Sequence, residues 1–219
     1  MESYINIKDP RNNNNKGVYV VKILISTIYE HNSVMLCANR FSVNKIYLLV
    51  DNEPKKEQKD AIQIVKSALG GFVEIIEKSV SLYDIVDVAK TVVSILDSIN
   101  QNDSVYVNAT CGRKPQSLGL VYGCYARIKK VKELVYITEE EKKIINLPKL
   151  SIEINESQRD MLELVENCKF QTIMEMSGNI KMSRAIVYRN FEALKDKGMI
   201  KQTDDGVIEI TDFGKLVLL

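Results

Sequence analysis

The sequence predicts an α/β fold built on a mostly parallel sheet, followed by a smaller helical unit that ends in a hairpin. Three observations carry this. Short β-branched runs alternate with segments of helical period from Val18 to about Leu150, the mark of βαβ units whose right-handed crossovers build a parallel sheet. The runs are nearly continuous in apolar residues, as strands covered on both faces require. Beyond Asn155 the alternation gives way to three helical segments and a hairpin, which puts a domain boundary at about Pro148–Glu156.

Taken in order, Val18–Ser26 (VYVVKILIS) reads as a first strand, followed by a polar turn at Thr27–Asn32 and a short helix through Phe41. Val43–Val50 is a second strand. Lys55–Leu69 places Ala61, Ile62, Val65, Ala68 and Leu69 at helical period, and Gly70-Gly71 stops it. Phe72–Ile76 is a third strand, and Leu82–Ile99 is a long helix with one apolar side. Ser104–Asn108 (SVYVN) is a fourth strand that runs straight into ATCGRK. Pro115 suits the first turn of the next helix, where a missing N–H costs nothing. That helix reaches about Ile128. Glu133–Thr138 is a fifth strand, and Lys142–Leu150 offers a sixth at the edge.

Composition narrows the function classes. Hydrophobic residues make up 45% of the 219 and charged residues 27%, with a net charge of +1, as in ordinary globular proteins. The four cysteines are scattered, with no CxxC pair and one histidine in the chain, so neither a zinc site nor a disulfide framework is predicted, and no metal. Met1–Gly17 is polar and carries Asn12–Asn15, which predicts a flexible leader over 1–17 rather than a signal peptide. No apolar run approaches the ~18 residues of a membrane span. A cytoplasmic protein with reduced thiols and no membrane partner is expected.

In a doubly wound sheet, ligands bind beyond the carboxyl ends of the strands at the point where strand order reverses. If the order is 3-2-1-4-5, the segments at that point are Thr27–Asn32 (TIYEHN) and Asn108–Lys114 (NATCGRK). Gly112 allows close backbone approach to a ligand, and the helix opening near Pro115 presents free N–H groups and a positive dipole end. Arg113 and Lys114 add charge, while Asn108 and Thr110 are placed to fix a ribose or phosphate oxygen. An anionic ligand fits this loop; a plain tight turn with solvated cations fits it as well. The GxxxxGK[ST] spacing of a P-loop is missing.

The stretch SVYVNATCGRK before a helix resembles the signature loop of CARF domains, the Rossmann-like sensors of cyclic oligoadenylates in type III CRISPR systems. Ile25–Asn32 (ISTIYEHN) resembles their second ligand-contacting loop, and the likeness runs from Val18 to Thr138. Cys111 departs from it, standing where many members carry a second glycine. The resemblance implies a homodimer that binds cyclic tetra-adenylate across its two-fold axis. Carried over residue by residue, it implies ligand contacts from Ser26, Thr27, Ile28, Tyr29, His31, Asn108, Thr110, Cys111, Gly112, Arg113 and Lys114. Some CARF domains cleave their ligand through its own ribose 2′-hydroxyl; here Lys114, with Ser26 or Thr27, would be the residues for that ring-nuclease chemistry. No cofactor is implied. A HEPN ribonuclease is excluded, because no arginine precedes His31 at the required spacing.

In the remaining 155–219 unit, Ser157–Glu166 and Thr172–Ser177 are helical, and Ser183 is a suitable N-cap for Arg184–Lys197. Met199–Thr203 and Val207–Thr211 form a hairpin around Asp204-Asp205-Gly206, and Asp212–Leu219 closes as a helix. This arrangement resembles a winged helix-turn-helix of prokaryotic regulators. Val187, Phe191 and Leu194 are expected to pack inward, leaving Ser183, Arg184, Tyr188 and Arg189 for double-stranded DNA. Lys181–Lys197 carries five Lys/Arg and two Asp/Glu, which suits phosphate contact. The whole segment from Asn155 is acidic by two charges and the hairpin tip is acidic, as a module that only dimerises would be. The reading is therefore a CRISPR-associated transcriptional regulator with an 18–150 sensing domain. The alternatives are a ring nuclease, and a regulator outside CRISPR responding to another nucleotide or metabolite.

Overall fold

The computed structural model describes residues 20–150 and 153–219, so the predicted leader 1–17 lies outside the described residues. Six strands, β1 (Lys22–Thr27), β2 (Lys45–Asp51), β3 (Glu74–Val80), β4 (Ser104–Asn108), β5 (Val131–Ile137) and β6 (Ile144–Asn146), form one sheet in the order β3-β2-β1-β4-β5-β6. All pairs are parallel except β5 with β6. Strand order reverses between β1 and β4, and the carboxyl ends meet there, with Ser26 opposite Asn108.

The helices α1 (Asn32–Phe41), α2 (Lys56–Leu69), α3 (Ile85–Ser98) and α4 (Lys114–Ala126) cover both faces. Alternation along β1 divides the core. Ile23 and Ile25 join α3 and α4 through Val88, Val92, Leu96, Leu120 and Cys124, while Leu24 faces α1 and α2 through Val34, Cys37, Ala61 and Val65. Asp84 caps α3, its carboxylate accepting from the Val86 and Asp87 amides at 3.0 Å each. Helices α3 and α4 pack closely at Gly119 and Gly123. A Cβ on Gly123 would lie 2.7 Å from Val92 Cβ and 2.8 Å from the Ala89 carbonyl oxygen.

Two expected boundaries move. Phe72 stands exposed in the turn before β3, and that strand instead runs on to Val80, paired with β2 from Lys45 to Asp51. Its polar second half (EKS) suits an edge strand. The sixth strand shortens to the three residues that pair with β5.

The C-terminal residues form α5 (Glu156–Asn167), α6 (Ile173–Gly178), α7 (Arg184–Asp196), the antiparallel pair β7 (Ile200–Gln202) and β8 (Ile208–Ile210), and α8 (Asp212–Leu218). Their core is separate, built from Met161, Leu162, Phe170, Met176, Val187, Phe191, Leu194 and Ile208. Gly198 ends α7 in a left-handed conformation, φ 71°. Ser183 stands at the N-cap position, but its hydroxyl makes no capping bond. Leu216 of α8 packs on Val86 and Ala89 of α3, and Arg127, after α4, binds both Asp97 carboxylate oxygens (2.9 and 3.0 Å) and the Leu219 backbone oxygen.

Candidate ligand-binding site

The site begins with Asn108, the last residue of β4. Its side chain is fully buried and its hydrogen-bonding capacity is filled. Oδ1 accepts from the Thr110 amide (3.2 Å) and the Thr110 hydroxyl (2.5 Å); Nδ2 donates to the Ser26 hydroxyl (3.0 Å) and the Ser33 hydroxyl (3.3 Å). A carboxamide offers two donors and two acceptor lone pairs. Nothing is left for a ligand. Asn108 instead ties the end of β4 to β1, to the first turn of α1 and to its own loop.

The same economy governs its neighbours. Ser26 donates to the Thr27 carbonyl at 2.7 Å, Thr27 donates to the Cys111 carbonyl, and Ser117 donates to that same carbonyl at 2.9 Å. Thr110 also accepts the Ile137 amide at 2.8 Å. Ser26, Thr27 and Ile28 are fully buried, so these expected contacts, with Asn108, form the floor of the site and not its surface. The reason is geometric: β1 is central, and its last residues point into the helix layers on both faces.

Gly112 turns the loop with φ 94°, a region open to glycine and strained for other residues. A Cβ there would sit 2.9 Å from Thr27 Cβ. The loop then enters α4, with Pro115 in its first turn. Gln116 fixes this entry: its Oε1 accepts the Arg113 amide (3.2 Å) and its Nε2 donates to Asp51 (2.5 Å) at the end of β2. Gln58 of α2 donates to the Ile28 carbonyl at 2.7 Å and ties in Asp51 as well. Ser33, Asp51, Gln58 and Gln116 escape the sequence reading. The one signal available was Gln116 at the third helical position, where Gln commonly accepts from the N-cap amide.

Cys111, the departure from the family pattern, lies buried with its Sγ 2.9 Å from the Ser33 hydroxyl. Burial pushes its thiol above the usual range. A raised thiol favours the protonated form, which brings no negative charge to an anion site. Cys37 on the adjoining helix is raised, again by burial, to about 12.

What remains accessible is Tyr29, Glu30, His31, Thr110, Gly112, Arg113 and Lys114, of which Arg113 and Lys114 are exposed at the amino end of α4. The Arg113 guanidinium lies over the Tyr29 ring at 5.8 Å and bridges the two loops. Beside them opens a cleft of about 640 Å³. Its walls include Tyr29, His31, Thr110 and Gly112, but also Glu30, Glu57, Asp60 and Glu139, with Lys142. The site is thus polarised, cationic at the α4 end and carboxylate-lined toward α2. Among the described residues no group of three or more His, Cys, Asp or Glu is set to hold a metal ion, and no helix is long and apolar enough to cross a membrane.

The family described as "HFX_2341_N:-like, N-terminal" matches residues 20–143, more than half of the chain and all of the sheet through β5. The chain belongs to this family. No curated protein sequence matches it. Among solved structures, this HFX_2341_N:-like chain is similar to Can2 from Sulfobacillus thermosulfidooxidans in complex with cyclic tetra-adenylate, at 14% identity and a TM-score of 0.44 over 90% of this chain and 63% of that one. It is similar also to Enterococcus italicus Csm6 bound to cyclic hexa-2′-fluoro-hexa-dAMP (13%, 0.49, 82% and 55%). A third is protein VC1899 from Vibrio cholerae (9%, 0.48, 89% and 63%). The chain spans less than two thirds of the length of each.

Proposed function

We propose that this protein is a cytoplasmic, CRISPR-associated regulator whose dimeric α/β domain, residues 18–150, binds cyclic tetra-adenylate and whose residues 155–219 act on double-stranded DNA as a winged helix. The observation that carries the reading is the Asn108–Lys114 loop, the segment that resembles the CARF signature. It is locked across the β1/β4 reversal by a saturated Asn108 and presents the amino end of α4, Arg113 and Lys114 beside Tyr29. Two poles support an adenylate over a simple anion. Phosphates match the α4 end, whereas exocyclic amino groups of adenine donate to carboxylates such as Glu30 or Glu57, and the Tyr29 face offers stacking.

The helical unit supports the second half. Arg184, Tyr188 and Arg189 are exposed on α7 while Val187, Phe191 and Leu194 are buried, the division a recognition helix needs. Two such helices in a dimer would be re-spaced by a change at the ligand site. The acidic tip Asp204-Asp205 gives the rival view, a unit that only dimerises, its one specific support. Ring-nuclease chemistry is less well served: the Ser26 and Thr27 hydroxyls are buried and committed, leaving Lys114 alone.

Incubation with cyclic tetra-adenylate, followed by chromatography and calorimetry, tests the first half. Saturable binding without linear products supports a sensor. Linear di-adenylate that disappears in Lys114→Ala establishes the nuclease instead. For DNA, the Arg184→Ala/Arg189→Ala double variant is expected to weaken a gel shift and flatten its salt dependence; an unchanged shift removes α7 as the reader.

A further inference from the structure

The chain carries a second cationic surface, far from the ligand loops in the fold. Arg127-Ile-Lys129-Lys130-Val-Lys132 puts four cations in six residues, a basic cluster of the kind that marks polyanion contact. It sits where α4 ends and β5 begins, at the amino-terminal ends of β4 and β5, the opposite edge of the sheet from Asn108. There Lys129, Lys130 and Lys132 line an open groove of about 770 Å³. Lys149 arrives from beyond β6 as a fourth lysine of this groove, and Asn100, Gln101 and Asn102 supply amides on the facing turn.

Several of these cations are held in place. Lys149 donates to the Val131 carbonyl at 2.7 Å, and Lys130 to the Leu96 carbonyl at 2.9 Å and to Asp97 at 3.3 Å. Lys129 and Lys132 are exposed. Four lysines line the groove against one carboxylate, Asp103, which accepts the Val21 amide at 3.0 Å, while Asp97 beside the groove is paired with Arg127 and Lys130. The surface therefore keeps a net positive charge. It also continues into an adjoining hollow of about 410 Å³, where Lys129 and Lys130 are joined by Arg127 and by Arg159 of α5. A cationic strip thus runs from the sheet edge onto the C-terminal helical unit.

We infer that this groove is a second DNA contact, taking the phosphate backbone of a duplex whose other contacts fall on the helical unit. The inference rests on the reading of that unit as a duplex-DNA binder. Charge complementarity chooses the polyanion. The groove lining favours the duplex: it contains lysines, amides, Ser104, Asp103 and aliphatic residues but no aromatic ring, and the rings of the adjoining hollow, Tyr122 and Tyr125, pack against the cores, whereas single strands are held by stacking on open rings. With mainly lysines and amides to offer, the contact positions the protein and reads no base.

The test measures binding of a random-sequence 30-base-pair duplex by anisotropy across a salt series, using the full chain. Wild type is compared with Lys129→Ala/Lys132→Ala and with Arg184→Ala/Arg189→Ala. The groove variant is expected to lose about tenfold in affinity and to lower the slope of log K against log salt by about 2, irrespective of sequence. Lys129→Glu/Lys132→Glu should exceed that loss. Both positions are exposed, and unchanged thermal melting establishes that the fold is intact. Unchanged affinity and slope in the groove variants, with loss in the α7 variant, overturn the inference and leave α7 standing. Loss in the groove variants alone overturns the inference as stated, since the duplex's other contacts then do not fall on α7. A single strand of equal length binding as tightly, or no duplex binding by wild type, overturns it.

Discussion

Replacing Asn108 with Ala removes the group on which the ligand loop is hung. Four hydrogen bonds disappear. The losses are unequal. Ser26 and Ser33 retain other partners in the Thr27 carbonyl and Cys111 Sγ, and the Thr110 hydroxyl keeps the Ile137 amide. The Thr110 amide and the Thr110 hydroxyl proton both lose their acceptor, because the bond that the hydroxyl keeps is one it accepts. A typical hydrogen bond contributes about 1 kcal/mol net, and an orphaned buried donor costs about 1–3 kcal/mol. With the polar groups left facing a small void, the loss comes to roughly 2–4 kcal/mol, or about 5–15 °C in Tm for a chain of this size. Urea unfolding followed by circular dichroism reads the stability, and calorimetry with cyclic tetra-adenylate reads the site. Ligand affinity is expected to fall at least tenfold, since the loop no longer holds α4 and Tyr29 in register. A variant within about 0.5 kcal/mol of wild type, binding normally, would refute the assignment of Asn108 as the lock.

Gly112→Ala combines a positive φ with a Cβ 2.9 Å from Thr27 Cβ; about 1–3 kcal/mol of destabilisation is expected, with ligand binding lost. Gly71→Ala, which meets nothing within 4 Å, should stay within about 0.5 kcal/mol. Gly123→Ala sets helix propensity, worth about 1 kcal/mol in favour of Ala, against overlap with Val92 and the Ala89 backbone, worth about 1–3 kcal/mol or more. Overlap wins, and the variant should unfold at lower urea. Burial raises the Cys37 thiol from 9.0 to about 12. The folded state therefore holds this proton more tightly, and the associated stability is complete below pH 9 and drains away as pH climbs toward 12. The urea midpoint is expected to fall over that range, less steeply in Cys37→Ala.

Much of this organisation was legible beforehand, for identifiable reasons. The run KILIS could only be a strand covered on both sides, and the order it implied put TIYEHN and NATCGRK side by side, as β1 and β4 do. Gly112 announced a positive φ, and Pro115 the start of a helix. The sequence did not reveal which loop residues turn inward. Ser26, Thr27 and Asn108 are polar, and in a list of residues they look like ligand contacts; only their place at the ends of two central strands buries them. The tie from Gln116 to Asp51 joins residues 65 positions apart, and no local pattern signals it. Nor did periodicity foretell that RIKKVK would meet Lys149 across the sheet edge.

On the proposed function, the loop after β4 binds a cyclic oligoadenylate. Calorimetric titration of the intact protein with cyclic tetra-adenylate, beside linear tetra-adenylate and inorganic phosphate, tests it most directly. Saturable binding of the cyclic ligand at one ring per two chains is expected, lost in Lys114→Ala and absent for phosphate at the same concentrations. No heat and no saturation with the cyclic ligand, from protein that melts cooperatively, would contradict it.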